Sequence, residues 1–355
     1  MTRPMASPWS PWMLPLQLPY ALAISAKNHA YARGWLQPKA LTRPVVSIGN
    51  LSIGGAGKTP IVIALAELLH QQGIAVDVLS RGYGRRSSAA VERVQLSGSA
   101  ARFGDEPLLI AQATGAPVYV GASRYAAGLL AEQEQAARPP AQPASHPAAI
   151  HLLDDGFQHR RLQRAVDIIV IHPSDLYSRL LPIGRLREPV RSLHRAHILV
   201  LREEDQHSEH LLRSAGFNQP IWRVRRSLTI PASLDRSRPV TAFCGIAHPE
   251  EFFRSLRAQG IVLARTFRFR DHHRFRPSEL ARLARASSGH AALLTTEKDL
   301  VRLSTGARAI LERLDPRTGS PVPPLLAVPL RAEILDPSAA ATTLLRLLGP
   351  PQACP

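Results

Sequence analysis

The sequence predicts an α/β protein: a parallel-sheet unit followed by a second, smaller α/β unit. Three observations carry that prediction. From Arg43 onward, apolar runs of strand length alternate with runs of helix length. The segment GGAGKT, residues 54–59, stands between one such strand and one such helix. A second strand-and-helix series begins near Pro239. Strands separated by helices imply a parallel sheet covered on both faces.

Taken in order, the opening stretch PWSPWMLPLQLPYALAIS is apolar and carries Trp9 and Trp12. Prolines at Pro8, Pro11, Pro15 and Pro19 are expected to interrupt any membrane-spanning helix there. Arg3 is the one early cation, and no unbroken apolar run precedes a small-residue cleavage site, so a secretory signal is a poor match. A cytoplasmic chain is expected. The following AKNHAYARGW suits the headgroup layer of a membrane, and equally a terminal helix packed on its own domain.

PVVSIGN then predicts a buried strand, TPIVIALAELLHQQG a helix with a glycine stop, and IAVDVLS the next strand. EPLLIAQATG, APVYVGA, RYAAGLLAEQEQAA and AAIHLLDD continue the alternation. RPPAQPASHP predicts an extended surface loop. The second unit holds VTAFCGIAHPEEFFRSLRAQG, IVLARTFRF and AALLTTEK. It is bracketed by PIWRVRRSLTIP and PLLAVPLRAEIL, two stretches that can pair as a joining ribbon, and AAATTLLRLLG can return to the first unit. The expected division is an N-terminal membrane-interface segment (1–38), a core domain (39–225, with a returning helix in 332–355) and a smaller α/β domain (226–331).

The 355 residues include 44 basic and 27 acidic ones, a formal charge of +17. Nucleic acid, an anionic leaflet and a phosphorylated substrate all satisfy such a surface, and an arginine-rich composition alone would also produce it. Lysine occurs only at Lys27, Lys39, Lys58 and Lys298, so a lysine inside a glycine-rich loop is unlikely to be incidental. Two distant cysteines, Cys244 and Cys354, exclude a disulfide scaffold and a thiolate metal site.

In GGAGKT, backbone N–H groups and the positive end of a helix would cradle phosphate oxygens, with Lys58 on the β- and γ-phosphates and Thr59 on Mg²⁺. This makes the first unit P-loop NTPase-like. The candidate nucleotide-binding residues are Ser52, Ile53, Gly54, Gly55, Ala56, Gly57, Lys58 and Thr59, although Ser52 stands where the usual pattern has its first glycine. In AIHLLDDGFQHRRL, Asp154 and Asp155 end an apolar strand and are candidate Mg²⁺ ligands beside Thr59. A single Asp there would be either a turn cap or a ligand; a pair beside a nucleotide loop favours the metal.

Asp105 in RFGDEPLLIA is either a helix N-cap or a general base acting on a hydroxyl. His272 and His273 in RFRDHHRF lack zinc-site spacing and are either surface residues or catalytic. Arg185 and Arg187 in LPIGRLREP can stabilise a transferring phosphoryl group or sit in a solvated loop beside Glu188.

Together, SIGNLSIGGAGKTP, LSRGYGRR, GDEPLLIA, LDDGFQHRRL, LPIGRLREP, FCGIAHPEEFF, DHHRF and TTEKDLVRL resemble the tetraacyldisaccharide 4'-kinases of lipid A biosynthesis, over roughly residues 10 to 345. The resemblance implies two α/β domains with the active site in the cleft between them. It implies transfer of the γ-phosphoryl group of ATP, with Mg²⁺, to the 4'-hydroxyl of a tetraacylated glucosamine disaccharide 1-phosphate. The expected location is the cytoplasmic face of the bacterial inner membrane, peripheral or monotopic. By motif, Asp105 matches the family's catalytic aspartate and His272 the histidine that supports it, so Asp105 would accept the hydroxyl proton while His272 orients it or tunes its pKa. Gln158 and His159 would lie near the metal and phosphates, and Arg187 and Glu188 match a further family segment. The family pattern accommodates Ser52.

The alternative is a nucleotide-switched basic protein that docks on nucleic acid. No helix-turn-helix, zinc finger or aromatic-studded RNA motif supports it, so no nucleic-acid partner is expected. A GTP switch would need an Asn-Lys-x-Asp element, to which TTEKDL is the nearest approach. Oligomeric state leaves no mark in the sequence.

Overall fold

The computed structural model describes residues 14–136, 149–312 and 323–349. Trp9, Trp12, Cys354 and the loop expected at 138–147 lie outside the described residues. The strands are β1 (Val45–Gly49), β2 (Ala75–Ser80), β3 (Val91–Arg93), β4 (Val118–Gly121), β5 (Ala149–Asp154), β6 (Val166–Val170), β7 (Ile198–Arg202), β8 (Ile221–Leu228), β9 (Val240–Cys244), β10 (Leu263–Arg268), β11 (Leu293–Thr296), β12 (Leu325–Val328) and β13 (Leu330–Ile334). The helices are α1 (Leu14–Ala32), α2 (Lys58–Gln71), α3 (Ala100–Phe103), α4 (Asp105–Thr114), α5 (Arg124–Ala136), α6 (Gln206–Ser214), α7 (Pro249–Ala258), α8 (Pro277–Ser287), α9 (Glu297–Leu300), α10 (Thr305–Glu312) and α11 (Pro337–Leu348).

Nine strands form one sheet in the order β13-β8-β7-β6-β1-β5-β2-β4-β3. Its middle is parallel; β3 on β4 and β13 on β8 are antiparallel. Because successive side chains point to opposite faces, β1 sends Val46 and Ile48 to one side and Val45 to the other. The first side packs on Ile61, Leu65 and Leu69 of α2 and on Leu344 of α11. The second packs on Ala127 and Ala131 of α5, and farther along Phe157 and Leu193 cover Ile169 and Leu199. Both faces being covered, the strands read as continuous apolar runs.

The second sheet, β10-β9-β11-β12, is parallel throughout. Val240, Ala242 and Cys244 pack against Phe252, Phe253 and Leu256 of α7. Phe243 turns the other way, toward Leu280 and Leu283 of α8. The chain leaves the first sheet after Leu228 and re-enters it at Leu330, directly opposite in register. The stretch expected to form one arm of a ribbon is divided between the sheets at Pro329. Leu325–Val328 extends the second sheet beside β11, and Leu330–Ile334 pairs with β8. Proline has no N–H for a ladder, so a strand break there costs no donor, and its carbonyl accepts from the Thr229 N–H at 2.9 Å.

α1 differs from the expectation that prolines would interrupt it: the helix runs through Pro19. Pro15 occupies the first turn, where an N–H has no intrahelical partner anyway, so only Pro19 removes a helix hydrogen bond. Among the described residues no helix is long and apolar enough to cross a membrane. α1 is tied down by polar contacts. Tyr20 Oη donates to the Arg187 carbonyl (2.9 Å), Lys27 Nζ to the Gln158 carbonyl (3.0 Å) and Asn28 Nδ2 to Glu188 Oε2 (2.9 Å). Leu16, Leu18 and Leu22 of the same helix remain exposed.

Candidate active site

β1 ends at Gly49 and α2 begins at Lys58, so the intervening loop lies at the carboxyl end of a central strand, where open α/β sheets bind ligands. Gly57 caps α2 at φ 81°, a left-handed conformation that other residues resist. Ser52 has no such need. Only Asp155 and His272 have positive φ among the described non-glycine residues, and Ser52 instead pairs with Leu186 in a β-bridge. Two bonds frame that bridge, Ile53 N–H to the Arg185 carbonyl (2.8 Å) and Arg187 N–H to the Leu51 carbonyl (2.7 Å). Ser52 is buried beneath the loop, and the cleft lining starts at Ile53.

The cleft between the two sheets has a volume of about 1220 Å³. Ile53, Gly54, Gly55, Ala56, Gly57, Lys58 and Thr59 line it from the first sheet, and Ala247, His248, Asp271, His272 and Lys298 from the second. Asp154, Asp155, Gln158, His159 and Arg187 also face it. Lys58 Nζ donates to Asn50 Oδ1 (2.9 Å) and lies 3.4 Å from Asp155 Oδ1. Arg187 grips Asp155 with two parallel bonds, at 2.9 and 2.8 Å. Gln158 Nε2 donates to the Asn50 carbonyl (3.0 Å). Arg185 braces the loop through the Ile53 carbonyl (3.0 Å), and Glu188 is held by Asn28 and Arg195.

The two carboxylates at the end of β5 differ sharply. Burial opposes ionisation of Asp155, but the charges of Lys58 and Arg187 hold its carboxyl well below the usual range. Asp154 is buried, and burial, then Glu106 and Asp155, push its carboxyl well above that range. Its Oδ2 accepts from Ser80 Oγ (3.0 Å), while its buried Oδ1 has no partner. An unpaired buried carboxylate oxygen, with Thr59 lining the same cleft, fits a hard cation that takes oxygen ligands. Burial and the neighbouring Arg124, Arg164, Arg161 and Lys27 lower His159 to about 4, so its ring is neutral at pH 7.

Asp105, at the start of α4, meets the second sheet's loops. His272 Nδ1 donates to its Oδ2 (2.9 Å), and Arg302 reaches the same oxygen through Nε (2.7 Å) and NH2 (2.6 Å). Its Oδ1 accepts the Glu106 N–H (3.0 Å). Burial is outweighed by the His272 bond and the charges of Lys298 and Arg302, which hold the carboxyl well below the usual range. Lys298 Nζ bonds Glu106 (2.8 Å) and points at His272 Nε2 (3.4 Å), an arrangement that suits a ring with its proton on Nδ1. Asp105 does not line the cleft; His272 and Glu106 do. His272 and Asp155, the two side-chain-bearing residues with positive φ among the described residues, both sit in this site, and strained backbone concentrates where function holds it.

Lys298 and Arg302 escaped the sequence reading, although lysine scarcity was a usable signal. Of the four lysines, Lys27, Lys58 and Lys298 line the cleft. His273, beside His272, bonds Glu279 instead (2.9 Å).

The family model described as LpxK, tetraacyldisaccharide-1-P 4'-kinase, matches residues 9–349. A tetraacyldisaccharide 4'-kinase from Koribacter versatilis is 39% identical over 346 residues, 95% of this chain and 98% of that protein. One from Geobacter metallireducens is 36% identical over 351 residues, 94% of this chain and 96% of its own. The crystal structure of LpxK from Aquifex aeolicus in complex with ATP is similar in fold, with TM-score 0.72 and 30% identity, covering 95% of this chain and 99% of that one.

Proposed function

The chain belongs to the tetraacyldisaccharide-1-P 4'-kinase family, and from that premise we propose how its cleft carries out the reaction. It is a lipid kinase of lipid A biosynthesis, which phosphorylates the 4'-hydroxyl of a tetraacylated disaccharide 1-phosphate. The nucleic-acid alternative finds no support among the relatives.

We infer that ATP lies with its phosphates on the 53–59 loop. Backbone N–H groups from Gly54 to Thr59 and the N-terminus of α2 supply fixed positive dipoles, and Lys58 swings from Asn50 to the β- and γ-phosphates. The Asp154 carboxylate and the Thr59 hydroxyl would hold Mg²⁺, whose chemistry when bound is to neutralise charge on the phosphate oxygens. Asp155 stays with Arg187 and Lys58, fixing both cations, and Gln158 holds the Asn50 backbone beneath them.

Asp105 and His272 act as a unit on the acceptor hydroxyl. The carboxylate, anchored by Arg302, holds the ring in place, while the ring faces the cleft. Phosphoryl transfer asks more of positioning than of base strength, so a dyad joined only when the two sheets meet ties reaction to acceptor binding. Arg124, Arg160, Arg161 and Lys27 line the cleft next to His159 and suit the acceptor's own phosphate.

We place α1 on the cytoplasmic leaflet of the inner membrane, with exposed Leu16, Leu18 and Leu22 toward the acyl layer and its polar contacts toward the cleft. The positive charge fits an anionic leaflet. The observation that carries the site assignment is the bond between Asp105, at the start of α4, and His272, on a loop of the second sheet's unit, beside the nucleotide loop. The test is to incubate the protein with Mg-ATP and tetraacyl disaccharide 1-phosphate and to locate any added phosphate by fragmentation. Addition at the 4'-oxygen, abolished by Lys58→Ala, is expected; no product, or product unaffected by Lys58→Ala, overturns the reading.

A further inference from the structure

We propose that Arg226, on the strand joining the two sheets, is a further ligand for the terminal phosphates of the nucleotide. The proposal deepens the kinase reading above and rests on it. β8 alternates, and its residues Trp222, Val224 and Leu228 are buried in the two hydrophobic cores. Arg226 occupies the same row, at the place where the strand passes from one core to the other, so strand periodicity alone asks for an apolar residue there.

Its guanidinium has Nε and NH1 both buried without a hydrogen-bond partner, the one side chain with two such nitrogens among the described residues. A desolvated cation without a partner is costly, and arginine cannot shed its proton to escape that cost. Burial is compounded by the like charge of Arg202, while Glu251, Glu204 and Asp205 act on Arg226 only from a distance. The missing partner is an anion, and the position of the guanidinium says which. It packs on Gly57, where even a Cβ would lie 3.0 Å from NH1, and it lines the cleft with Lys58 and Thr59.

Gly57 immediately precedes the lysine of the loop, so a phosphate cradled by the loop's N–H groups comes within reach of this fork. The left-handed glycine thus does two things: it turns the chain into α2 and lets the guanidinium approach the loop backbone. Because β8 also carries the chain into the second sheet, a phosphate held by Arg226 pins the joining strand against the loop. Occupancy of the nucleotide site is thereby felt by the element that sets the distance between the two halves of the dyad.

Arg226→Met, which keeps the aliphatic stem and removes the charge, tests this, with Arg226→Lys and Lys58→Ala alongside. Three quantities are read: the melting temperature without nucleotide, its shift with Mg-ATP, and steady-state kinetics with ATP varied at saturating lipid acceptor. Arg226→Met is expected to melt no lower than wild type without nucleotide, since it removes an unpaired buried charge. Its Mg-ATP shift shrinks, and kcat/KM for ATP falls about 10²- to 10³-fold. The KM for acceptor stays within about twofold, and Arg226→Lys recovers only part of the loss because it lacks the fork. If Arg226→Met keeps the full Mg-ATP shift and kcat/KM within about twofold while Lys58→Ala is inactive, the proposal is wrong and the kinase site stands. A fall in nucleotide-free melting temperature that accounts for the lost activity makes Arg226 structural and likewise overturns it. Absence of transfer by wild type removes the underlying reading itself.

Discussion

Replacing Asp105 by asparagine separates two roles that one carboxylate combines. The substitution is nearly isosteric but removes the charge that Arg302 meets at 2.7 and 2.6 Å, with both side chains under a tenth exposed. Breaking a buried ion pair costs about 3–5 kcal/mol when the survivor is stranded. Here Arg302 keeps Asp299 at 2.8 Å and the Gly245 carbonyl at 2.7 Å, so a loss of about 2–3 kcal/mol is expected. At about 2.1 cal/mol/K of unfolding entropy per residue, the 355-residue chain should melt about 3–4 °C lower. Catalysis should suffer more: an acid–base unit contributes about 10²- to 10⁴-fold and the substitution removes the carboxylate that holds its ring, so kcat should fall within that range. The KM for ATP should hold, since Asp105 lies outside the cleft lining. The assay is initial-rate phosphoryl transfer with each substrate varied, run beside thermal melts, and repeated for His272→Ala and the double variant. A unit acting together predicts a double variant no slower than the slower single one. Losses that multiply, or an Asp105→Asn enzyme with more than a third of wild-type kcat, would refute the dyad.

Other consequences follow from the same contacts. Asp154→Asn should lower kcat about a hundredfold or more and raise the Mg²⁺ concentration needed for half-maximal rate, without lowering the melting temperature, because its Oδ1 has no protein partner to lose. Asp155→Ala, by contrast, should lower the melting temperature as well, since Arg187 and Lys58 lose their shared carboxylate. Leu18→Glu with Leu22→Glu should weaken binding to anionic vesicles at least about tenfold in a sedimentation assay while sparing turnover of detergent-dispersed acceptor. The Glu251 carboxyl is lowered from 4.5 to about 2, first by His172, against burial, and further by Arg202. Its stabilising contribution is therefore complete above pH 4.5 and is lost as pH falls toward 2, and Glu251→Gln should show a smaller drop in melting temperature between pH 5 and 3 than wild type.

What was legible in the sequence is what local chemistry encodes. GGAGKT between a strand and a helix announces its loop because positive φ requires glycine and phosphate requires N–H groups, and LDD ends an apolar run where a sheet delivers ligands. The identity of the loop survives Ser52 because that position is bridged to Leu186, a contact 134 residues away that no local pattern encodes. The same limit explains the dyad. Asp105 and His272 are 167 residues apart, and each has an adequate local role until the two sheets meet. Arg302 and Lys298, which lock the carboxylates from the second sheet, were missed for that reason, as was the sheet change at Pro329. Asp154 and Asp155 look equivalent in sequence; only burial and the reach of Arg187 separate them.

The central claim is that one reaction is performed by residues from both sheets across the cleft. It is tested most directly by single-turnover transfer of a γ-labelled phosphoryl group from ATP to the tetraacyl disaccharide 1-phosphate, comparing wild type with Lys58→Ala and His272→Ala. The account predicts rapid labelling of the 4'-position by wild type and a rate loss of about a hundredfold or more for each variant, one from each sheet, with both folded. Transfer at the wild-type rate by His272→Ala would contradict it, because the second sheet would then take no part in the chemistry.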